Sequence, residues 1–193
     1  MPQYLNKKQL KKIGFKKIGK NCRISITTRG YSLNCTVGNN VRIDDNVVLK
    51  GKINIKSNVH IARGCTLSGG NLGIYLDNFS TLSNFCQLFT KSDDYFFPCL
   101  SGGTLSEKDK DRYSKIYNKK ILIGKAVIVG AFSILLPGAN LGNFSTAGAY
   151  SLINKKIPAG YYFSNLITKK ENLKKRDLLK LNKIYKKAIS NKL

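Results

Sequence analysis

The sequence predicts an all-β solenoid that carries a short N-terminal helix, one long inserted loop and a C-terminal helix. Three observations predict this architecture. An aliphatic residue recurs at every sixth position, a small or β-branched residue recurs four positions after it, and the basic residues concentrate near the two ends of the chain. A period of six fits neither an α-helix nor a simple hairpin, but it fits a stack of short strands joined by tight turns.

The aliphatic positions form two blocks on either side of a long interruption. The two blocks together contain fifteen such positions, spaced six residues apart except at the interruptions. Fourteen of them are Ile, Leu or Val and the other is Ala. These positions are Val37, Ile43, Leu49, Ile55, Ile61, Leu67, Leu76, Leu82, Leu88, Ile123, Val129, Leu135, Leu141, Ala147 and Ile153. We expect three hexads to form one triangular coil of about 18 residues, with the aliphatic side chains pointing into the core.

The fifth position of each hexad is expected to point inward near a corner, where room is limited. It holds small or β-branched residues almost throughout, including Cys65 and Cys86, which therefore need no redox role. The chain has five cysteines and no Cys-x-x-Cys pair, so the sequence predicts reduced thiols and no zinc site. Glycine often follows the aliphatic position, as at Gly130 and Gly148, and we expect it to ease the turn.

Three segments depart from the period. Residues 1–17 predict a basic helical cap for the first coil of a solenoid domain at 18–160. Residues 94–120 interrupt the repeat, and such an insertion is typical of a functional loop, the alternative being a tolerated surface insertion. Residues 161–193 predict a basic helical tail whose apolar face packs on the solenoid or a neighbouring subunit, in preference to a membrane.

The charge is strongly positive, with 34 Lys and Arg against 10 Asp and Glu and a formal net charge of +24. A field of this sign attracts polyanions such as nucleotide-sugars, coenzyme A, nucleic acid or anionic lipid, although compositional drift accounts for it equally well. No nucleic-acid recognition motif is present, so we expect no specific nucleic-acid partner. The absence of a signal peptide or an apolar spanning run predicts a cytoplasmic protein, with peripheral contact at an anionic membrane left open.

Several stretches resemble the hexapeptide-repeat acyltransferases, which fold as a left-handed parallel β-helix. The resemblance covers about residues 13–160. The stretches "VGNNVRIDDNVVLKG", "NVHIA" and "TKSDDYF" look like its sugar O-acetyltransferase branch, which is galactoside-acetyltransferase-like. "IGKAVIVGAFSILLPGANLGNFSTAGAYSLI" resembles the acetyl-CoA-binding coils of the superfamily. The resemblance implies a homotrimer that moves acetyl from acetyl-CoA to a sugar hydroxyl in surface-polysaccharide biosynthesis, without a metal.

The sequence also departs from the family pattern. After "SDDY" the chain continues Phe96-Phe97-Pro98 where relatives have a Ser-Gly-Glu-like turn, so the acceptor pocket is expected to differ. The segment 162–170 replaces the usual ending that helps to cover the coenzyme. The better-known sugar acetyltransferases also carry a histidine in the segment that here reads "LFTKSDDYFFP", which contains none.

His60 is the only histidine of the chain and the candidate general base. Acyl transfer to a hydroxyl needs a base for the alcohol proton, and histidine titrates near working pH. His60 occupies the sixth position of its hexad, which we expect to point outward at a corner of the triangle. The resemblance implies active sites in clefts between neighbouring subunits, which such a residue could reach. The alternative is a solvated corner residue.

Asp93 and Asp94 are the expected catalytic partners of His60. One carboxylate would fix the imidazole tautomer and the other would accept hydrogen bonds from the sugar. They occupy another corner than His60, so any pairing would cross a subunit interface. The alternative is that they cap the loop turn. Tyr95 and Phe96, which follow directly, are the expected acceptor contacts.

The resemblance also implies a coenzyme site along the later coils. Small residues let pantetheine approach the backbone, and we expect contacts at Gly130, Ala131, Gly148 and Ala149. Lys155 and Lys156 are expected to meet the phosphates of coenzyme A, the alternative being a solvated turn. Two other functions stay open at this point: N-acetylation of a nucleotide-linked amino sugar, and a non-catalytic scaffold that binds polyanions.

Overall fold

The computed structural model describes residues 3–95, 98–165, 173–175 and 177–190. It is a parallel β-solenoid of about eight turns with a helix near each end, and the predicted fold class is confirmed. The helices are α1 (Lys7–Lys12), α2 (Glu107–Tyr113) and α3 (Leu178–Ser190). The strands are β1 (Phe15–Ile18), β2 (Arg23–Ile24), β3 (Arg29–Val37), β4 (Arg42–Ile43), β5 (Val48–Ile55), β6 (His60–Ile61), β7 (Thr66–Ser68), β8 (Ile74–Leu76), β9 (Thr81–Leu82), β10 (Gln87–Phe89), β11 (Lys91–Asp93), β12 (Ile116–Asn118), β13 (Ile121–Ile123), β14 (Ile128–Val129), β15 (Ile134–Leu135), β16 (Asn140–Leu141), β17 (Thr146–Ala147), β18 (Leu152–Ile153), β19 (Lys156–Ile157), β20 (Tyr161–Phe163) and β21 (Leu173–Lys175).

The strands form three faces, one for each side of the triangular coil. Face I stacks β2, β4, β6, β9, β14, β17 and β20 in parallel, with β21 added antiparallel at its end. Face II stacks the first part of β3 and β5 with β7, β10, β15 and β18. Face III stacks β1, the second part of β3 and β5, β8, β13, β16 and β19. Because β3 and β5 run around the corner between them, faces II and III join into one sheet of eleven strands.

The core of the solenoid follows the hexad period. All fifteen aliphatic positions predicted from the sequence are buried. The fifth positions are buried as well, except Asn71, which lies at the register shift, and Ser92, which lies in the stem of the inserted loop. The period thus fails only where the coil itself is interrupted. Burial raises the pKa of the Cys35 thiol to about 12, which fits an unreactive core residue.

The corners lie two residues earlier than the sequence interpretation placed them. Left-handed backbone recurs at the third residue after most of the inward aliphatics, as at Asn58 with φ 58°. His60 therefore lies past the corner, on the flat of face I, which corrects the corner position expected for it. The glycine that follows the aliphatic is not left-handed either. A Cβ on Gly130 would lie 2.6 Å from the carbonyl carbon of Gly148, so glycine is required there by the backbone of the next coil.

Helix α1 closes the first end of the core with Leu10, which is buried. Asn6 and Gln9 form a capping box: the Asn6 side chain accepts from the Gln9 backbone N–H at 3.0 Å, and the Gln9 side chain accepts from the Asn6 backbone N–H at 2.8 Å. The helix is shorter than the predicted cap, because Phe15–Ile18 already forms a strand of face III.

The inserted loop leaves the solenoid at the corner between faces II and III. It begins at Lys91, three residues before the predicted start, and returns at Asn118, since β11 and β12 form an antiparallel pair at its base. Beyond this pair, the described part of the loop holds α2 and a short 3₁₀ turn at Gly102–Thr104. The loop therefore rises on a rigid two-stranded stem and is a built element rather than a loose insertion.

Helix α3 packs on the corner between faces III and I. The Tyr185 ring meets Phe79 and Phe144 edge to face, with ring centroids 5.3 and 5.6 Å away. The coil between those two phenylalanines has Ala126 at the same corner position, which leaves space for Tyr185. Packing of the tail on the solenoid, which the sequence analysis favoured, is thus observed for α3. None of the helices in the described ranges is long and apolar enough to span a membrane.

Replacing Tyr185 with Ala is expected to release α3 from the solenoid. Burying a large apolar side chain contributes about 1.5–3 kcal/mol, so amide exchange of α3 should accelerate by about tenfold or more. Hydrogen–deuterium exchange of peptides covering 178–190 measures this. Ile189→Ala is the matched control, because Ile189 lies on the same helix and is half exposed. Equal exchange in both variants would show that Tyr185 does not hold the helix.

Candidate active site

His60 lies on the outer surface of face I as the first residue of β6. Its Nε2 is 2.8 Å from Oδ2 of Asp44, which belongs to the coil before it. The imidazole is partly exposed, with 33% of its side-chain surface accessible. The single histidine of the chain therefore has a carboxylate partner within its own subunit and an open side toward solvent.

Asp44 is itself held by Arg42. The guanidinium Nε donates to Oδ1 at 2.7 Å and Nη2 donates to Oδ2 at 3.0 Å, which is a two-point ion pair. The Arg42 hydrogen bond, aided by His60 and opposed by partial burial, holds the pKa of the Asp44 carboxyl below its ordinary value. Arg42, Asp44 and His60 thus form a connected chain of charged and hydrogen-bonding groups.

The period places these three side chains together. Arg42 and Asp44 flank the inward Ile43, and alternate residues of a strand point to the same side. Arg42 is paired with His60 on the next coil, 18 residues later. Counting one coil back from His60 would have found both residues, whereas the sequence interpretation looked for its partner at the acidic pair 93–94.

Asp93 is bound into the loop. Its Oδ2 accepts from the Ser101 hydroxyl at 2.7 Å, and its Oδ1 accepts from the Gly102 backbone N–H at 3.1 Å. Both carboxylate oxygens therefore contact the 3₁₀ turn. This is the turn-capping role that stood as the alternative for the acidic pair.

Asp94 lies at the foot of a cavity beside the loop stem. It is only 8% exposed, accepts from the Tyr117 hydroxyl at 3.1 Å, and is ion-paired with Lys115 at 3.2 Å. The cavity has a volume of about 270 Å³ and is lined by Ser92, Asp93, Asp94, Tyr95, Tyr117, Lys119, Leu136, Pro137 and Asn154. It can hold one small polar ligand, and it joins the loop to the corner between faces II and III.

The structure describes one of the two other predicted acceptor contacts, Tyr95. Tyr95 lines this cavity, and the Tyr95 hydroxyl accepts from the Ser92 hydroxyl at 2.6 Å. Phe96 lies outside the described residues. Sequence reasoning missed Tyr117, Lys119 and Asn154, because they come from the far side of the insertion and from a later coil. Only their shared corner brings them together.

The structure does not bring His60 and the acidic pair together within one subunit. His60 lies on face I, whereas Asp93 and Asp94 rise from the opposite corner of the triangle. Along the solenoid axis, however, His60 and the acidic pair are close. His60 begins β6, the neighbouring strand on the next coil is β9, and β11 with the acidic pair follows at the end of that coil. One coil corresponds to about 4.8 Å.

The predicted coenzyme contacts separate into two places. Gly130, Ala131, Gly148 and Ala149 lie on two adjacent coils at the corner between faces I and II, where the Tyr150 N–H donates to the Ala131 carbonyl at 2.9 Å. Lys155 directly follows Asn154 of the cavity at the corner between faces II and III, and Lys156 begins β19 on face III. Neither lysine lines the cavity, and the Lys155 ammonium lies 5.2 Å from the centroid of the Phe163 ring, so within one subunit the lysines are separate from the glycines.

An aromatic ladder occupies the corner between faces I and II. It consists of Phe85, Phe132 and Tyr150, stacked with centroid separations of 5.1 and 5.2 Å. All three have left-handed backbone, although an earlier coil has Asn46 at this corner position. Bulky residues are costly in this conformation, by about 1–3 kcal/mol. The rings are exposed on the surface of the subunit, with 39% of Phe85, 46% of Phe132 and 60% of Tyr150 accessible.

The surface around Phe132 and Tyr150 is apolar, whereas the Arg63 guanidinium lies 6.0 Å from the centroid of the Phe85 ring. Ile128 on face I and Ile134 and Leu152 on face II are exposed beside the ladder. No Lys, Arg, Asp or Glu occurs from 126 to 153, in a chain with a net charge of +24. Exposed apolar clusters of this kind mark contact surfaces. The described residues contain no cluster of three or more His, Cys, Asp or Glu side chains that could hold a metal ion.

Comparison with known proteins assigns the family. No protein-family model matches the chain. The dTDP-4-amino-4,6-dideoxy-D-glucose acyltransferase of Escherichia coli is 30% identical over 187 residues, which are 95% of each chain. The galactoside O-acetyltransferase of Lactococcus lactis is 35% identical over 89 residues, 45% of this chain and 43% of that protein.

Solved structures agree with this assignment. AntD, an N-acyltransferase from Bacillus cereus crystallised with dTDP and 3-hydroxybutyryl-CoA, matches with 32% identity and a TM-score of 0.81, over 98% of this chain and 100% of AntD. A mutant of AntD in complex with dTDP-4-amino-4,6-dideoxyglucose and coenzyme A matches with a TM-score of 0.82, 32% identity and coverage of 97% and 100%. The hexad core, the inserted loop and these full-length similarities together show that the chain belongs to the hexapeptide-repeat acyltransferases that modify sugars.

Proposed function

We propose that the protein transfers an acyl group from an acyl-CoA to the amino group of a dTDP-linked 4-amino-4,6-dideoxy sugar. Two kinds of relative match nearly the whole chain, including the inserted loop, and both act on or bind this class of acceptor. The galactoside O-acetyltransferase matches less than half of the chain. Of the acceptors left open by the sequence, the amino sugar is therefore favoured over the sugar hydroxyl first expected.

The reaction makes defined demands on the site. The sugar amine arrives largely as an ammonium ion and must lose a proton before it can attack. Its nitrogen then bonds to the thioester carbonyl carbon, the carbon–sulfur bond breaks, and the amide and the free thiol of coenzyme A leave. The site must therefore accept a proton, stabilise the oxyanion and protonate the departing sulfur.

The proposed enzyme is a homotrimer with the aromatic ladder at its threefold axis. If the three ladders meet there, face I of each subunit lies against face II of the next. The exposed Ile128 on face I and the exposed Ile134 and Leu152 on face II would then be covered. A threefold arrangement of this kind is a closed, head-to-tail interface.

This packing completes a site that one subunit lacks. The inserted loop leaves from the outer end of face II, and His60 lies at the outer end of face I, two residues after the corner at Asn58. An axis parallel to the solenoid keeps each coil at its own height. His60 would thus face the cavity around Asp94 of the partner subunit, where His60 serves as base and the cavity binds the amino sugar.

The coenzyme is proposed to run along the same cleft. The backbone of Gly130, Ala131, Gly148 and Ala149 would face the pantetheine arm, and Lys155 and Lys156 would meet its phosphates from the partner side. Coil packing already accounts for glycine at both positions, because a Cβ on Gly130 would lie 2.6 Å from the carbonyl carbon of Gly148 and a Cβ on Gly148 would lie 2.6 Å from the Tyr162 hydroxyl. The membrane contact left open for the basic termini is not needed for this function.

Thiol release from acyl-CoA tests the proposal. The purified chain is assayed with a dTDP-4-amino-4,6-dideoxy sugar and with the matched dTDP-sugar that has a hydroxyl in place of the amine. We expect at least about a 100-fold preference for the amine, because a site built around one polar group rejects its substitute strongly. Equal or faster release with the hydroxyl sugar would restore the O-acyltransferase interpretation. No release with either acceptor would support the scaffold alternative.

A further inference from the structure

We propose that Asp44 is the positioning residue of His60, and that it holds the imidazole with its proton on Nε2 so that Nδ1 carries the lone pair offered to the acceptor amine. The inference rests on the proposed function, because it assigns an orientation to the base of that reaction. It rests on contacts within one subunit and does not depend on the trimer.

The tautomer follows from the chemistry of the contact. An ionised carboxylate has only acceptor sites, so the nitrogen that it bonds must carry hydrogen. Asp44 lies 2.8 Å from Nε2 and receives two donors from Arg42 at 2.7 and 3.0 Å, which keep it ionised and oriented. A neutral His60 therefore has one available lone pair, and it is on Nδ1. When His60 takes a proton, the same carboxylate stabilises the imidazolium.

The platform under this contact is rigid. The Arg42 N–H donates to the Val59 carbonyl at 2.9 Å and the Asp44 N–H donates to the Ile61 carbonyl at 3.0 Å, so the two coils are locked on both sides of Ile43. Ile43 and Ile61 are fully buried beneath them. Exact placement of a base requires this kind of support from regular structure.

The assignment divides the roles of the carboxylates. Asp44 takes the orienting role that the sequence interpretation gave to one of Asp93 and Asp94. Asp93 is occupied by the loop turn. Asp94, which is bonded to Tyr117 and Lys115, keeps the other role, which is to contact the amino sugar in the cavity that it lines.

The single histidine makes the tautomer directly measurable. Nitrogen-15 NMR of uniformly labelled protein shows one imidazole, so its two ring resonances need no assignment by mutagenesis. We expect the wild type, held at a pH where the ring is neutral, to show a protonated Nε2 and an unprotonated Nδ1. In Asp44→Asn the amide can donate as well as accept, so the Nε2-protonated form should lose its dominance. Unchanged ring resonances in this variant would overturn the inference.

Kinetics connect the tautomer to the reaction. Asp44→Asn should lower kcat by about 10- to 100-fold with the KM of both substrates little changed, since general-base catalysis contributes factors of this size or larger. Arg42→Gln should show a smaller loss in the same direction. Asp77→Asn is the matched control. Asp77 is also ion-paired with a basic side chain, Lys56 at 3.6 Å, but it lies on the coil that follows the coil of His60.

His60→Ala separates the possible failures. If His60→Ala keeps full activity, the base assignment fails together with this inference, while acyl transfer itself is still shown by thiol release. If His60→Ala is inactive but Asp44→Asn changes the ring resonances without lowering kcat, the positioning role alone is wrong. Circular dichroism of each variant confirms that the fold is retained.

Discussion

Phe132→Asp is expected to convert the protein from a trimer into monomers and to lower its activity at least about 100-fold. Phe132 is the middle ring of the ladder and is 46% exposed in the single subunit. At a threefold axis the substitution places three carboxylates close together in an apolar contact, where they repel one another and lose hydration. Light scattering after size-exclusion chromatography gives the mass, and thiol release gives the activity.

Leu72→Asp is the matched control for this substitution. Leu72 is 40% exposed, but it lies at the corner between faces II and III, away from the ladder. This variant should stay trimeric. Circular dichroism on both variants distinguishes dissociation from unfolding, and Leu152→Glu is a second interface variant that leaves the ladder intact. A trimeric Phe132→Asp, or a wild type that is already monomeric, would refute the proposed axis.

The charge distribution explains why one surface should dominate self-association. Copies with a net charge of +24 repel one another over most of their surface. The coils from 126 to 153 carry no charged residue, and their apolar side chains cluster on both sides of one corner. Approach through this corner removes apolar area from water and keeps the basic terminal segments apart.

The period of the sequence was enough to predict the fold, because each hexad repeats the same packing. Every inward aliphatic from Val37 to Ile153 is buried, since a solenoid core is built by near-neighbour contacts that one hexad already encodes. The same period contained the Arg42–His60 pairing, which a coil-by-coil alignment would have shown. The position of the corners was misjudged, because left-handed backbone here falls on Asn, Phe and Tyr as well as Gly.

The cavity could not be predicted in this way. Tyr117 reaches Asp94 because β12 returns antiparallel to β11, and the hexad pattern says nothing about a loop outside the repeat. Asn154 joins them only through the stacking of a later coil. The fit of Tyr185 between Phe79 and Phe144 likewise depends on the small side chain of Ala126, which looked like an ordinary corner residue in the sequence.

Mixing two inactive variants is expected to restore activity, because the proposed site takes His60 from one subunit and Asp94 from the next. His60→Ala lacks the base and Asp94→Asn lacks the acceptor carboxylate, so each alone should lose about 100-fold or more in kcat. In trimers reassembled from an equal mixture, a site is intact when its His60 comes from an Asp94→Asn chain and its Asp94 from a His60→Ala chain. Random assembly gives this combination at about a quarter of the sites.

Recovery of about a quarter of wild-type activity after joint unfolding and refolding would therefore place the two residues on opposite sides of a subunit interface. Two controls determine what the recovery means. Mixing the variants without unfolding should restore nothing until subunits exchange, and refolding either variant alone should restore nothing at all. A double variant that carries both substitutions in one chain, refolded with wild type, should leave about a quarter of the sites active, whereas a site within one subunit would leave about a half. If the mixture of single variants stays inactive while the two controls behave as expected, His60 and Asp94 act within the same subunit, and the loop must approach face I by another path.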